Sequence, residues 1–144
     1  MTFLLDVNVI IALVDDGHVH HSAAHRWFQD DGGADFATCA ITENGVLRIA
    51  GNPNYSGSPG SPAALMLAVA SLRAMPGHHF WPDDLSLLLS DTVIRGRLLS
   101  HSQVTDTYLL ALAVTKGGRL ATFDRKLVPD AVVGGAAALC LIAQ

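Results

Sequence analysis

The chain has 144 residues, of which 50% are apolar and 15% charged, and its mean hydropathy is +0.35. A chain of this length can bury a full hydrophobic core, which excludes disordered and fibrous architectures. The uncharged stretch 131–143 has 13 residues, fewer than the roughly 18 needed to span a membrane. No basic leader precedes the first apolar run and Asp6 interrupts it, so we expect a cytoplasmic protein.

Cysteine and charge counts set two further expectations. Cys39 and Cys140 lie in apolar, strand-like stretches without CxxC spacing, which predicts reduced core residues. The formal charge is −4, from 13 acids and 9 bases, a balance that normally argues against a nucleic-acid partner. Glu43 is the one glutamate in an aspartate-rich set of acids.

The N-terminal half alternates predicted strands and helices. Residues 2–5, closed by Asp6, are typical of a strand buried in a parallel sheet, and a helix over 7–14 follows. The apolar spacing then predicts a helix over 20–29, a strand over 34–38 and a helix over 42–50. The segment Gly51 to Pro62, GNPNYSGSPGSP, predicts a loop.

The C-terminal half continues the alternation. Ser61 and Pro62 form a good start for a helix over 63–75, and a strand is predicted at 79–81. Two short helices are predicted at 82–89 and 91–98. A helix over 104–116 ends at two glycines, and strands over 119–123 and 139–142 complete the chain.

This order of elements predicts an α/β fold, a three-layer α/β/α sandwich with a central, mostly parallel sheet, forming one domain over residues 1–144. Such sheets bind ligands at the carboxyl ends of their strands, at a topological switch point. Asp6 and Asp124 each follow a strand-like run at that edge, and Glu43 and Asp106 lie in the first turns of predicted helices.

Each of these four acids alone is explained better as a capping or helix-start residue. Four at one edge of a sheet are harder to explain in that way. Carboxylates within about 4 Å repel by about 4 kcal/mol per pair at an effective dielectric near 20, so a converging set must bind protons or a cation. Oxygen ligands favour Mg²⁺ or Mn²⁺ over zinc, and two such ions could activate water for phosphodiester hydrolysis.

The remaining nine acids equal the nine Lys and Arg in number, so the rest of the chain is neutral on balance. Five of the basic residues lie in segments that border the predicted acidic edge. They could contact phosphate or be ordinary surface charges, and the sequence favours neither. They are Arg48, Arg95, Arg97, Arg125 and Lys126.

Four stretches together resemble a known family. They are LLDVNVIIAL around Asp6, ITENGVLRI around Glu43, VTDTYLLALA around Asp106 and LATFD ending at Asp124. In this order they resemble the motifs of PIN-domain endoribonucleases, and specifically of VapC-type toxins of bacterial type II toxin–antitoxin pairs. HVHHSA at 18–23 and FWPDDLSLL at 80–88 are weaker similarities to the same toxins.

The resemblance implies a metal-dependent ribonuclease in which Asp6 and Asp106 bind Mg²⁺ most directly, with Mn²⁺ as a substitute, and Glu43 and Asp124 complete the acidic pocket. Water would attack the phosphorus and leave a 5′-phosphate and a 3′-hydroxyl. The family also implies a homodimer, a VapB-like antitoxin that covers the pocket, and structured RNA such as tRNA or ribosomal RNA as substrate.

Three polar residues, Asn8, Thr105 and Thr122, align with family positions that orient the acids, bound waters or the RNA backbone. Capping or turn hydrogen bonds explain them equally well. The chain departs from the family at Thr107, where a small residue is common, and in the Gly- and Ser-rich loop 51–62, which bears on substrate choice.

Other functional classes fit less well. A phosphatase with an aspartyl nucleophile needs a second acid two residues after Asp6, where this chain has Asn8. A Rossmann dinucleotide site needs a G-x-G-x-x-G after the first strand, and none is present. The alternative that remains is a catalytically silent PIN-like scaffold that binds RNA or a protein partner.

Histidines and aromatic residues are further candidates for a functional role. The histidines at 18, 20, 21 and 25 include an i, i+4 pair, but without a recognisable third ligand we expect surface or half-buried residues. Trp27, Trp81 and Tyr108 could stack on RNA bases, although their spacing is more typical of core positions.

Overall fold

A five-stranded parallel sheet forms the centre of the molecule in the computed structural model, which describes residues 1–144. The spatial order is β3-β2-β1-β4-β5. The chain moves outward from β1 to β3 on one side and then crosses to β4 on the other, so the topological switch point lies between β1 and β4. The strands are β1 (Phe3–Leu5), β2 (Phe36–Thr38), β3 (His78–Phe80), β4 (Arg119–Thr122) and β5 (Leu139–Leu141).

Six α-helices cover the two faces of the sheet and confirm the three-layer α/β/α architecture. Because successive residues of a strand point to opposite faces, Leu5 and Ala121 pack against α1 to α4, while Leu4 and Leu120 pack against α5 and α6. The helices are α1 (Val7–Val14), α2 (His21–Trp27), α3 (Ala40–Ala50), α4 (Pro62–Arg73), α5 (Val104–Thr115) and α6 (Gly135–Ala138).

The helix that follows β1 begins at the expected acid. Asp6 is the N-cap of α1, and its side chain accepts a hydrogen bond from the Val7 N–H. Helix α3 packs closely across α1 at Gly45, where an added Cβ would lie 2.6 Å from Cγ2 of Val7. Glycine at this position therefore allows the two helices that carry Asp6 and Glu43 to approach each other.

The helices predicted over 82–89 and 91–98 are wrong. Residues 82–94 run as extended chain and turns, followed by 3₁₀ turns at Arg95–Arg97 and His101–Gln103. Asp83, expected to open a helix, instead accepts hydrogen bonds from the Tyr108 hydroxyl (2.7 Å) and the Ile41 N–H (3.3 Å). Leu85 and Leu87 pack against the core from this irregular chain, whereas Leu88 and Leu89 are 84% and 86% exposed.

Smaller differences lie at element ends. The predicted helix 20–29 continues from α2 into a π-helical turn at Phe28–Gly32, and the short helix α6 was not predicted. Both cysteines are free thiols, as expected; Cys39 is buried just beyond β2, whereas Cys140 on β5 is only half-buried. None of the helices has the length and apolar character required to cross a membrane.

Candidate active site

Three of the four predicted acids meet at the switch point. Asp6, Asp106 and Asp124 line one cavity of about 350 Å³ together with Asn8. Asp6 directly follows β1, Asp124 lies two residues beyond β4, and Asp106 is in the first turn of α5. The parallel sheet brings the first two together because the carboxyl ends of β1 and β4 are adjacent.

Asp6 is fixed by a hydrogen-bond network that begins at β4. The Thr122 hydroxyl donates to Oδ2 of Asp6 (2.8 Å), and the Val7 N–H donates to Oδ1 (2.7 Å). The Asn8 amide donates to the Thr122 oxygen (3.1 Å), and its carbonyl accepts from the Phe123 N–H (3.2 Å). Asn8 and Thr122 thus connect α1 to β4 and hold the Asp6 carboxylate in place.

The electrostatics of the cavity disfavour three ionised acids. Burial raises the pKa of Asp6, and Asp124 raises it further, although the hydrogen bonds from Thr122 and Val7 act in the opposite direction. Burial raises the pKa of Asp106 to about 6, with further contributions from the charges of Asp6 and Asp124. No hydrogen bond offsets these effects at Asp106, so its carboxylate is available to a cation.

Glu43 lies outside this cavity. Its carboxylate Oε2 accepts hydrogen bonds from the Arg73 guanidinium (2.6 Å) and the Thr38 hydroxyl (2.7 Å). Thr38 also bonds Nε2 of His78 (2.7 Å). The one glutamate of the chain is therefore neutralised by an arginine from α4, in a neighbouring depression between α3 and α4.

The donor set of the cavity fits a hard divalent cation. The carboxylates of Asp6, Asp106 and Asp124 supply only oxygen, which is the donor type that Mg²⁺ and Mn²⁺ prefer. No three acid, His or Cys side chains surround a single point closely enough to hold an ion by direct bonds alone. Mg²⁺ usually keeps several waters and binds one or two carboxylates directly, so a site with fewer than three protein ligands is compatible with this ion.

The other sequence candidates lie in less central positions. Thr105 is exposed at the start of α5 and makes no side-chain hydrogen bond. The five basic residues expected to border the acidic edge are all exposed.

The histidine pair and the aromatic candidates take part in packing and backbone contacts. His21 and His25 bond the backbone carbonyls of Ala12 and Leu13. Three aromatic residues pack in or against the core, as their spacing in the sequence predicts: Trp27, Trp81 and Tyr108.

Five residues that line the cavity are not among the predicted site residues. They are Val7 and Ile11 of α1, together with His18, Ile49 and Tyr55. His18 belongs to the HVHH cluster that the sequence singled out, and Tyr55 belongs to the loop 51–62. For His18 and Tyr55 the sequence signal is their membership of these two unusual segments, and nothing local indicates that either segment folds over the switch point.

Comparisons with known proteins agree with the geometry. The sequence profile of the PIN domain matches residues 3–129. The Mycobacterium tuberculosis proteins Ribonuclease VapC39 and Ribonuclease VapC44 are each 44% identical over 134 residues, which cover 93% of this chain and 96% and 94% of those proteins. The chain therefore belongs to the PIN-domain family, within the group of VapC ribonucleases.

A solved structure shows the same fold. The crystal structure of Mycobacterium tuberculosis VapC20, a toxin that cleaves the sarcin–ricin loop, aligns with a TM-score of 0.63 and 18% identity over 91% of this chain and 96% of that one. The match covers nearly the whole of both chains and therefore includes the sheet and the helices on both of its faces.

Proposed function

We propose that this VapC ribonuclease is a Mg²⁺-dependent endoribonuclease toxin in which Mn²⁺ can replace Mg²⁺. The observation that carries the proposal is the convergence of Asp6, Asp106 and Asp124 on one cavity at the switch point of the sheet. The raised pKa values of Asp6 and Asp106 support it, because such a cluster is stabilised by a cation.

Asp6 and Asp106 are the residues that would hold the metal. A bound divalent ion would act as a Lewis acid on the phosphate and lower the pKa of a bound water. Thr122 and the Val7 N–H keep the Asp6 carboxylate oriented, and Asp124 adds a third carboxylate on the side of β4. Water would attack the phosphorus and the 3′-oxygen would leave, giving a 5′-phosphate and a 3′-hydroxyl.

Glu43 takes a different role in this proposal from the one the resemblance implies. Its ion pair with Arg73 keeps its carboxylate outside the cavity, so we assign it to the neighbouring depression between α3 and α4 rather than to the direct metal ligands. Asn8 and Thr122 are positioning residues for Asp6, and Thr105 is placed to meet the RNA backbone at the exposed start of α5.

The family supports further proposals about partners. We propose a VapB-like antitoxin that covers the cavity, a homodimer as the assembled toxin, and tRNA or ribosomal RNA as the substrate in the cytoplasm. Relatives named VapC ribonucleases and VapC20, a toxin that cleaves the sarcin–ricin loop, support a structured RNA target.

Cleavage of total bacterial RNA by the purified protein tests the function. We expect discrete cuts with 5′-phosphate ends in Mg²⁺ or Mn²⁺, loss of the cuts in EDTA, and loss in Asp6→Asn. Asp130→Asn, an exposed acid outside the cavity, is the matched control and should cleave normally. Cuts that persist in EDTA or in Asp6→Asn would contradict the proposal, whereas metal binding without cuts would favour the silent scaffold.

A further inference from the structure

The cavity at the switch point is larger than a metal site needs. Its volume is about 350 Å³, within the range of roughly 300–1,000 Å³ typical of pockets for organic ligands. Because one water occupies about 30 Å³, an ion with a few waters leaves much of the space free. Besides the acids and the α1 residues Val7, Asn8 and Ile11, the cavity is lined by His18, Ile49 and Tyr55.

Asp15 holds the two polar members of this side in place. Its Oδ2 accepts a hydrogen bond from the Tyr55 hydroxyl (2.7 Å), and its backbone carbonyl accepts from the His18 N–H (3.0 Å). Oδ1 of Asp15 also accepts from the Gly17 N–H (3.0 Å), which fixes the turn between α1 and His18. One residue at the end of α1 therefore positions an aromatic ring through its carboxylate and an imidazole through its backbone carbonyl.

The tautomer of His18 follows from its own hydrogen bond. The His20 N–H donates to Nδ1 of His18 (3.0 Å), so Nδ1 carries no proton and a neutral ring must carry it on Nε2. The His20 ring is held in turn by stacking on Phe123, with the ring centroids 4.8 Å apart. Burial and the neighbouring histidines lower the pKa of His18, which agrees with a neutral donor.

The chemistry of these three side chains matches a nucleobase. Tyr55, half-buried against the core, contributes an aromatic side chain to the cavity wall. Ile49, 39% exposed, offers an apolar surface, and Nε2–H of His18 can donate to a base acceptor. Proteins recognise unpaired bases by aromatic stacking together with hydrogen bonds to the base edge. A paired base could not bind in this way, because its faces are stacked on neighbouring bases and its Watson–Crick edge is paired within the RNA duplex.

We propose that His18, Ile49 and Tyr55 form a subsite for one unpaired RNA base next to the scissile phosphate. This inference rests on the proposed function, since the acids define where the scissile phosphate lies. It also gives the loop 51–62 a role, because that loop supplies Tyr55. The subsite selects single-stranded positions such as loops within a structured RNA.

Binding of short RNA to a cleavage-deficient protein tests the subsite. All variants carry Asp106→Asn, and the probes are fluorescein-labelled UUNUU pentaribonucleotides with each base in turn at N. Removal of one base–aromatic stack weakens binding by about 5- to 100-fold, so we expect a loss in this range for Tyr55→Leu. Tyr55→Phe, which keeps the ring and loses the bond to Asp15, should give an intermediate loss.

His18 is tested in the same assay. His18→Ala should weaken binding about fivefold or more and flatten the preference among the four bases, and His18→Gln, which retains a donor near Nε2, should restore part of both. His79→Ala, an exposed histidine that pairs with Asp35, is the matched control and should bind like the parent. Unchanged affinity and base preference in both Tyr55→Leu and His18→Ala would overturn the subsite.

Two readouts separate this inference from the proposed function. Thermal unfolding first establishes that each variant is folded. If the wild-type chain cleaves RNA in a metal-dependent manner, but Tyr55→Leu and His18→Ala leave RNA binding unchanged, the subsite alone would be overturned. Absence of cleavage, with binding that depends on both residues, would overturn the nuclease mechanism and support the subsite.

Discussion

Asp106 is a single residue whose place in the site lowers the stability of the metal-free fold at neutral pH. Its pKa is raised to about 6 from an ordinary value of 3.8, so the folded chain binds a proton more tightly there than the unfolded chain does. The stabilisation from this proton is complete below pH 4 and is lost as pH rises from about 4 through 6. Above pH 6 in the absence of metal, the ionised residue therefore destabilises the fold.

Asp106→Asn should for this reason stabilise the metal-free protein. After a discount for solvent screening we expect a gain of about 1 kcal/mol at pH 7.5, or roughly 2–4 °C in the unfolding temperature. The gain should disappear at pH 4. Thermal unfolding in EDTA at the two pH values measures it, and an equal gain at both would show that repulsion in the cavity is not the cause.

The contrast between Glu43 and Asp106 gives a second prediction for single residues. Because Arg73 neutralises Glu43 outside the cavity, Glu43→Gln should lower Mn²⁺ affinity only about twofold, whereas Asp106→Asn should lower it tenfold or more, since a charged ligand is lost from the ion. Calorimetric titration with Mn²⁺ at pH 7.5 makes the comparison. Equal losses in the two variants would place Glu43 among the direct ligands.

Among the elements, the approach of α1 and α3 sets the shape of the acidic edge. An added Cβ at Gly45 would lie 2.6 Å from Cγ2 of Val7, so Gly45→Ala must push the helices apart. We expect the free energy of unfolding to fall by about 1–2 kcal/mol, because overpacking outweighs the gain in helix propensity. We also expect weaker metal binding at Asp6.

Gly96→Ala is the matched control for this change. Gly96 lies in a 3₁₀ turn where an added Cβ would meet no atom within 4 Å, so alanine should be neutral or slightly stabilising. Thermal unfolding of both variants checks the comparison. If Gly45→Ala proved as stable as Gly96→Ala, helices α1 and α3 could move apart without a measurable cost, and the close contact at Gly45 would not limit their packing.

The elements also show why some features were predictable and others were not. The apolar strands and the helices that follow them depend on local patterns, and so the sandwich and the placement of Asp6, Asp106 and Asp124 could be predicted. The segment 82–98 could not, because Asp83 bonds Tyr108 and Ile41 in distant elements. The orientation of Glu43 depends on Arg73, thirty positions away, which no local pattern reveals.

At the level of the whole molecule, the charge of −4 has to be reconciled with an RNA substrate. The acids that repel phosphate most strongly are those in the cavity, where the carboxylates are partly shielded from solvent. A double variant Asp6→Asn/Asp106→Asn should therefore bind single-stranded RNA about tenfold more tightly than the wild type in EDTA at low salt. The difference should shrink in 0.5 M salt, because surface electrostatics are screened there.

A second double variant separates the cavity from net charge. Asp30→Asn/Asp31→Asn removes the same charge from two exposed residues in the π-helical turn that precedes β2, near the opposite edge of the sheet. Its RNA affinity, measured by fluorescence anisotropy beside the first variant, should stay within about twofold of the wild type, because these exposed charges lie away from the cavity and the high dielectric constant of water weakens their effect there. If both pairs strengthened binding equally, overall charge would govern RNA affinity. A selective effect of the cavity pair would show that RNA approaches the switch point, and that a cation must offset these acids before the phosphate can bind there.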